Sequence, residues 1–314
     1  MQPLNQNAAR VIDPVLSGIA QGYIHPQRVG HVLFPSIPVP ASGGQVIEFG
    51  RESFVNYNSR RAPGANVQRI QFGYEGKPHA LQNFALDMPV PREFAQDAAA
   101  VPGLDLGKRA VNTVMNSLTL TLEIDQAALA TDAANYGNDN KLALAGTACW
   151  NSDISNPMTD IENAKEQVRI TCGVDPNRMV ISSKGFRTLK HHPRIVERFK
   201  YTTAESITAQ MLASLFELEE LAVGKATYLD PKTPDAAAKE AWGNFAVLGY
   251  VPSQDAAMDQ PSFGYTYTLT GHPFVETPRW DGDCRSWVYG VTYQRAPQLT
   301  GIASGFLFQG IVGA

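Results

Sequence analysis

The longest regular hydrophobic pattern runs from Asp105 to about Asn135, where Val111, Val114, Met115, Leu118, Leu122 and Leu129 recur at spacings of three, four and seven. A helix that buries one face has that period. Pro102-Gly103 breaks the chain just before it, Asp105 can cap a first-turn N–H, and Asn135-Tyr136-Gly137 supplies a stop. The spacing predicts one helix over 105–135, roughly 45 Å long at a rise of about 1.5 Å per residue. Its core side is assigned to Val111, Met115, Leu118, Leu122 and Leu129. The stretch LTLTL at 118–122 alternates with a strand's period instead, and Thr is a mediocre helix former. The longer pattern outweighs those five residues.

The flanks read differently. Residues 1–40 carry Pro3, Pro14, Pro26, Pro35, Pro38 and Pro40, and only VLSGIAQGYI at 15–24 suits a helix. The apolar positions Val29, Val32, Leu33, Phe34 and Ile37 cannot make a core alone, so this segment is expected to lie as an arm on neighbouring molecules. Residues 41–76 read as a long hairpin, QVIEFG outward and VQRIQFGY back, with the polar tip RESFVNYNSRRAPGAN. Residues 77–92 look extended. A helix from about Thr159 or Asp160 to Gly173 opens an αβ region, followed by the strand RMVISS and a helix interrupted at Pro193. A third helix, SITAQMLASLFEL, leads to a strand pair, ELAVGKATYLD and NFAVLGYVP. Residues 262–314 read as β throughout and end in FLFQGIV, expected to be buried or packed on a neighbour. The fold class is α+β.

Composition narrows the function. A chain of 314 residues can bury two modest cores or one elaborated one. A net charge of −4 gives no global basic field for nucleic acid. Charged residues make up 18% of the chain against 44% hydrophobic, below the roughly 25% charged of ordinary domains. Partner-covered surface would account for that, as would uncharged polar surface. Cys149, Cys172 and Cys284 are too few and too widely spaced for a disulfide framework or a metal clip. No signal-peptide pattern opens the chain, and no run approaches the roughly 18 apolar residues of a membrane span. A soluble protein made in the cytoplasm is expected.

Catalytic motifs are absent: there is no dinucleotide-binding glycine pattern, no P-loop around Gly224-Lys225, no nucleophile elbow in GIASG and no HExxH. Neither cofactor nor metal is expected. Weaker constellations remain. At the hairpin tip, Arg51, Arg60 and Arg61 stand beside Phe54 and Tyr57; this composition suits a subunit contact, a solvated loop or nucleic acid. Together with Phe34, these are the candidate inter-subunit contacts. Lys184, Arg187, Lys190, Arg194, Arg198 and Lys200 surround His191-His192; a solvated helix explains them, and so would weak contact with DNA. Adjacent histidines point to different helix faces and make a poor metal pair. Cys172 with His191 would imitate a thiol–imidazole pair only if the fold joined them. Glu276, Asp281 and Asp283 around WDGD fit a cation or simply a turn.

The order of these parts resembles the tailed-phage major capsid proteins of the Hong Kong 97-type fold, as do the phrases FPSIPVP, RRAPGA, NRMVISSKGFRTLKHHPRI and ASGFLFQG. The resemblance implies an N-terminal arm (1–40), an extended loop (41–76) and a peripheral domain (77–140) with spine helix 105–135. An axial αβ domain (141–261) and a β return to the peripheral domain (262–314) complete it. It implies a non-enzymatic virion subunit, assembled in the host cytoplasm into pentamers and hexamers of an icosahedral shell around double-stranded DNA. Implied partners are further copies of the chain, a separate scaffolding protein, a portal protein, a possible decoration protein and weakly held packaged DNA. An encapsulin-type nanocompartment shell is the alternative on the same fold, and a small soluble enzyme the alternative from another class. Two departures shape expectations. No extra N-terminal scaffolding domain is expected, and no lysine precedes Lys77, so the extended loop is expected to offer none for the cross-link that some relatives form.

Overall fold

The computed structural model describes residues 11–48, 60, 75–99, 103, 105–200, 206–230, 232–233, 237–252 and 262–313. Pro14–Gln21 (α1) and Ser36–Val39 (β1) lead into a hairpin of Gly43–Glu48 (β2) and Glu75–Ala80 (β3). Gln82–Pro91 (β4), Arg92–Ala99 (α2) and Leu106–Thr131 (α3) follow. Next come Lys141–Ala143 (β5), Pro157–Cys172 (α4), Arg178–Ser182 (β6), Ser183–His191 (α5), Pro193–Phe199 (α6), Ala209–Leu215 (α7) and Glu220–Gly224 (β7). Thr227–Tyr228 (β8) and Lys239–Glu240 (β9) form a small ribbon before Phe245–Gly249 (β10). The chain closes with Gly264–Leu269 (β11), Phe274–Val275 (β12), Arg279–Asp281 (β13), Ser286–Leu299 (β14) and Gly305–Gln309 (β15).

The periodic stretch folds as α3, a single helix of 26 residues capped by the Asp105 carboxylate, which accepts from Lys108 N at 3.1 Å. The strand-like LTLTL stays helical because its threonines find partners there. Thr119 and Thr121 donate their hydroxyls to the carbonyls of Met115 and Ser117, four residues back. Val111, Val114, Met115 and Leu118 are buried against Val291, Tyr293, Phe84 and Met88 of the sheet behind, and Leu122 is half-buried in the same cluster. Leu129, also half-buried, packs in a second cluster with Ala127 and Ala130.

Two sheets flank this helix. In the first, β14 is the hub: it pairs antiparallel with β4 over ten positions, and also with β11, β12 and β13, while β1 runs parallel to β11. The second has the order β5-β15-β10-β6-β7. Its core lies under α4 to α7, where Trp150, Ile161, Val168, Met179, Ile181, Leu189, Ile195 and Phe308 are fully buried. Gly173 ends α4 in the left-handed region, φ 76°, which its missing Cβ permits.

Several expectations change. The strands β7 and β10 are not neighbours; β6 lies between them, parallel to one and antiparallel to the other. The last strand leaves the rest of 262–313 and inserts between β5 and β10, burying Phe306, Leu307 and Phe308 in the second sheet rather than the first. Residues 11–40 are held by their own chain: Asp13 N donates to Val275 O at 2.9 Å, and β1 joins the first sheet. Residues 1–10 lie outside the described residues. The described part of the hairpin returns through EGKPHA, with Lys77 opposite Val46, whereas the expected return VQRIQFGY lies outside the described residues. The hairpin therefore does contain a lysine, and the sequence argument against a cross-link through this element falls.

Candidate assembly surface

A buried carboxylate joins three separate parts of the chain. Glu123, on α3, is 1% exposed and accepts from Val29 N at 3.0 Å, Gly30 N at 2.8 Å and Trp242 Nε1 at 2.6 Å. Those donors come from the N-terminal segment and from the turn before β10, so one side chain ties both to the spine helix. Three hydrogen bonds to an anion compensate the desolvation that burial imposes. One turn on, Gln126 Nε2 donates to Thr266 Oγ1 at 2.8 Å. A Cβ at Gly30 would run into the Gln126 amide, so the close approach of the N-terminal segment requires glycine. Arg178, on β6, adds a bond from Nη1 to Val32 O at 3.1 Å.

Of the candidate contact residues, Phe34 is corrected. It is 1% exposed, with its ring edge-on to Phe263 at 5.4 Å between centroids, so its apolar surface is spent within the chain. Arg60 is exposed; Arg51, Phe54, Tyr57 and Arg61 lie outside the described residues. Unassigned apolar surface appears elsewhere. Trp280 and Trp287 face each other across β13 and β14 at 5.5 Å, 44% and 42% exposed, in register with Val90 of β4. Nearby, a groove of about 460 Å³ is lined by Met88, Val90, Phe94, Ala98, Leu106 and Ala110. Phe94 at its rim is 62% exposed. Large aromatic surface left in water marks contact sites more often than chance.

The basic stretch becomes a ridge. Lys184, Arg187, His191, Arg194 and Arg198 are all exposed, at spacings of three, four, three and four across α5 and α6. Lys184 pairs with Glu240 at 3.6 Å, and Asp153, Glu162 and Glu197 line the adjoining hollows, so the field there is mixed. The two histidines separate, as their helix positions demand. His191 is exposed, while His192 is buried with Nε2 at 3.1 Å from Ser155 Oγ, and burial lowers its pKa. Cys172 donates Sγ–H to Val168 O at 3.1 Å, and burial raises its pKa, the opposite of what a nucleophile needs. Asp281 accepts from Asp283 N at 2.9 Å, the bond of a turn. Among the described residues no cluster of His, Cys, Asp and Glu could hold a metal, and no helix is long and apolar enough to cross a membrane.

Sequence reasoning missed Glu123, Trp242, Phe94 and the tryptophan pair. The one local signal for Glu123 was its place beside Gln126, Ala127 and Ala130, which widen the buried side of α3 beyond the leucine stripe.

Comparison with known proteins converges on one family. A family model described as Phage major capsid protein E matches residues 122–248. The major capsid protein of Burkholderia phage BcepMu is 33% identical over 97% of this chain and 98% of its own. A solved phage-related protein from Bordetella bronchiseptica RB50 superposes with TM-score 0.84 at 44% identity, covering 96% of this chain and 98% of that one. The capsid structure of Cyanophage P-SCSP1u, TM-score 0.58 at 9% identity over 93% and 90% of the two chains, shares the fold alone. With two sheets on one long helix and a relative matched almost end to end, the chain belongs to the phage major capsid proteins, self-associating components of the virion with the Hong Kong 97-type capsid fold.

Proposed function

We propose that the chain forms rings of five and six copies that close into an icosahedral shell around double-stranded DNA, with a purely structural role. The carrying observation is the β2–β3 hairpin, which forms a sheet of its own, apart from both large sheets. A hairpin outside both cores suits reach toward a neighbour better than stability of its own fold. In this reading residues 1–40 are the N-terminal segment, held from residue 11 on by its own chain, the hairpin is the extended loop, and Arg51, Phe54, Tyr57, Arg60 and Arg61 are candidate contacts with a neighbour. The first sheet with α3 is peripheral and the second sheet axial. A separate scaffolding protein guides assembly in the host cytoplasm, a portal occupies one vertex, and decoration proteins find apolar surface outside. The ridge on α5 and α6 offers DNA only weak contact, because carboxylates interrupt it. A nanocompartment shell is the less supported reading, since the chain-length relative is named for a phage capsid.

Co-expression with the scaffold tests this. Sedimentation and negative-stain imaging should show closed particles that hold DNA when packaging is reconstituted. A stable monomer under every such condition, or particles filled with a cargo enzyme, would remove the proposal.

A further inference from the structure

Arg295 is the anomaly of the peripheral half. It lies on β14 with 0% exposure, and none of its three guanidinium nitrogens has a hydrogen-bond partner. The rings of Phe84 and Tyr293 stand 4.6 and 4.9 Å from the guanidinium carbon and satisfy part of the charge, but they accept no conventional hydrogen bond. Burial lowers its pKa to about 10, which leaves it a cation at neutral pH. A buried cation without an acceptor destabilises a fold, and an apolar side chain of similar size usually serves better. The buried polar side chains of α3 are already engaged: Glu123 by its three donors, Gln126 by Thr266. Asp125 is the exception. It sits on the same helix, half-buried, and its charge and that of Arg295 act on each other without contact.

We propose that Arg295 and Asp125 form a latch between β14 and the spine helix, open in the isolated subunit and closed when the subunit is built into a shell. The inference rests on the shell reading above. Rings of five and six demand more than one angle between neighbouring parts, and a small slide of α3 over the sheet is the kind of two-position change that a packed joint allows. Closing the latch supplies the missing acceptor at the moment when the subunit takes its assembled shape.

A double-mutant cycle with Arg295→Met and Asp125→Asn, read separately on unassembled protein and on shells, tests it. In unassembled protein Arg295→Met should melt at or above the wild type, with coupling to Asp125→Asn far weaker than in shells. In shells each single change should raise the dissociation constant roughly tenfold or more, and the double change should add nothing further. Arg295→Lys, which keeps the charge, should retain part of the shell's stability and guards against a packing artefact. Equal coupling in both forms, or shells of every variant as tight as wild type, would overturn the latch alone. Failure of the wild type to form particles would overturn the shell reading along with it.

Discussion

Around the second sheet, Trp150, Ile161, Met179 and Phe308 pack under α4 to α7, and among the described residues no carboxylate or guanidinium is buried with them. Both charged side chains that the described residues bury lie instead on α3 and the first sheet: Glu123 on α3, turned to Val29, Gly30 and Trp242, and Arg295 on β14. The same half leaves Phe94, Trp280 and Trp287 in water. The interior of the second sheet, axial in the proposed reading, is thus complete within one chain. The half built on the first sheet, peripheral in the proposed reading, adds directional polar contacts to its apolar cluster and still presents aromatic surface. An apolar core fixes shape by packing and tolerates little displacement, whereas a joint of hydrogen bonds can be rearranged at a definite cost per bond.

Substitutions can break this contrast. The largest effect is expected from Leu118→Asp, which places an unpaired charge against Val291 and Tyr293 and should cost about 3–5 kcal/mol or more. Loss of soluble protein is the expected readout, and a wild-type melting curve would mean that the helix face is misassigned. Phe308→Ala and Glu123→Ala then sharpen the comparison. The first should cost about 3–5 kcal/mol, spread over the axial unit as a cavity. The second strands three donors, costs about 2–3 kcal/mol, and should act locally. Tryptic cleavage after Arg28 should therefore rise sharply in Glu123→Ala and only slightly in Phe308→Ala; equal cleavage would contradict the joint.

The smallest effect concerns acid. The folded pKa of His192 lies below its ordinary 6.5, mainly through burial. Below that value the unfolded chain takes up the proton first, so stability should fall as pH drops from 6.5 toward the folded pKa. Above 6.5 the contribution is constant. His192→Gln should flatten the corresponding part of a melting-temperature profile, and an unchanged slope would assign it to other groups.

What the sequence revealed depended on periodicity. The buried face of α3, the stop at Gly173 and the break at Pro193 all follow from local rules that any chain obeys. Strand order did not follow, because β6 comes to lie between β7 and β10 through contacts distant in sequence. Phe34 was misplaced for the same reason: a proline-rich apolar segment shows that it needs a partner, and gives no sign that Phe263 provides it. Glu123 was overlooked because a charged residue on a helix is ordinarily solvated. Its donors are 119, 93 and 94 residues away. Lys77 was assigned outside the hairpin because the paired strand runs on to Ala80, past the expected end at residue 76.

Hydrogen exchange, compared between unassembled protein and purified shells, tests most directly the claim that neighbours complete the peripheral half. The account predicts that added protection concentrates in β4, α2 and the segment 279–288, while the central axial strands β6, β10 and β15, already enclosed, change little. Added protection centred on those axial strands, with β4, α2 and 279–288 exchanging as before, would contradict it.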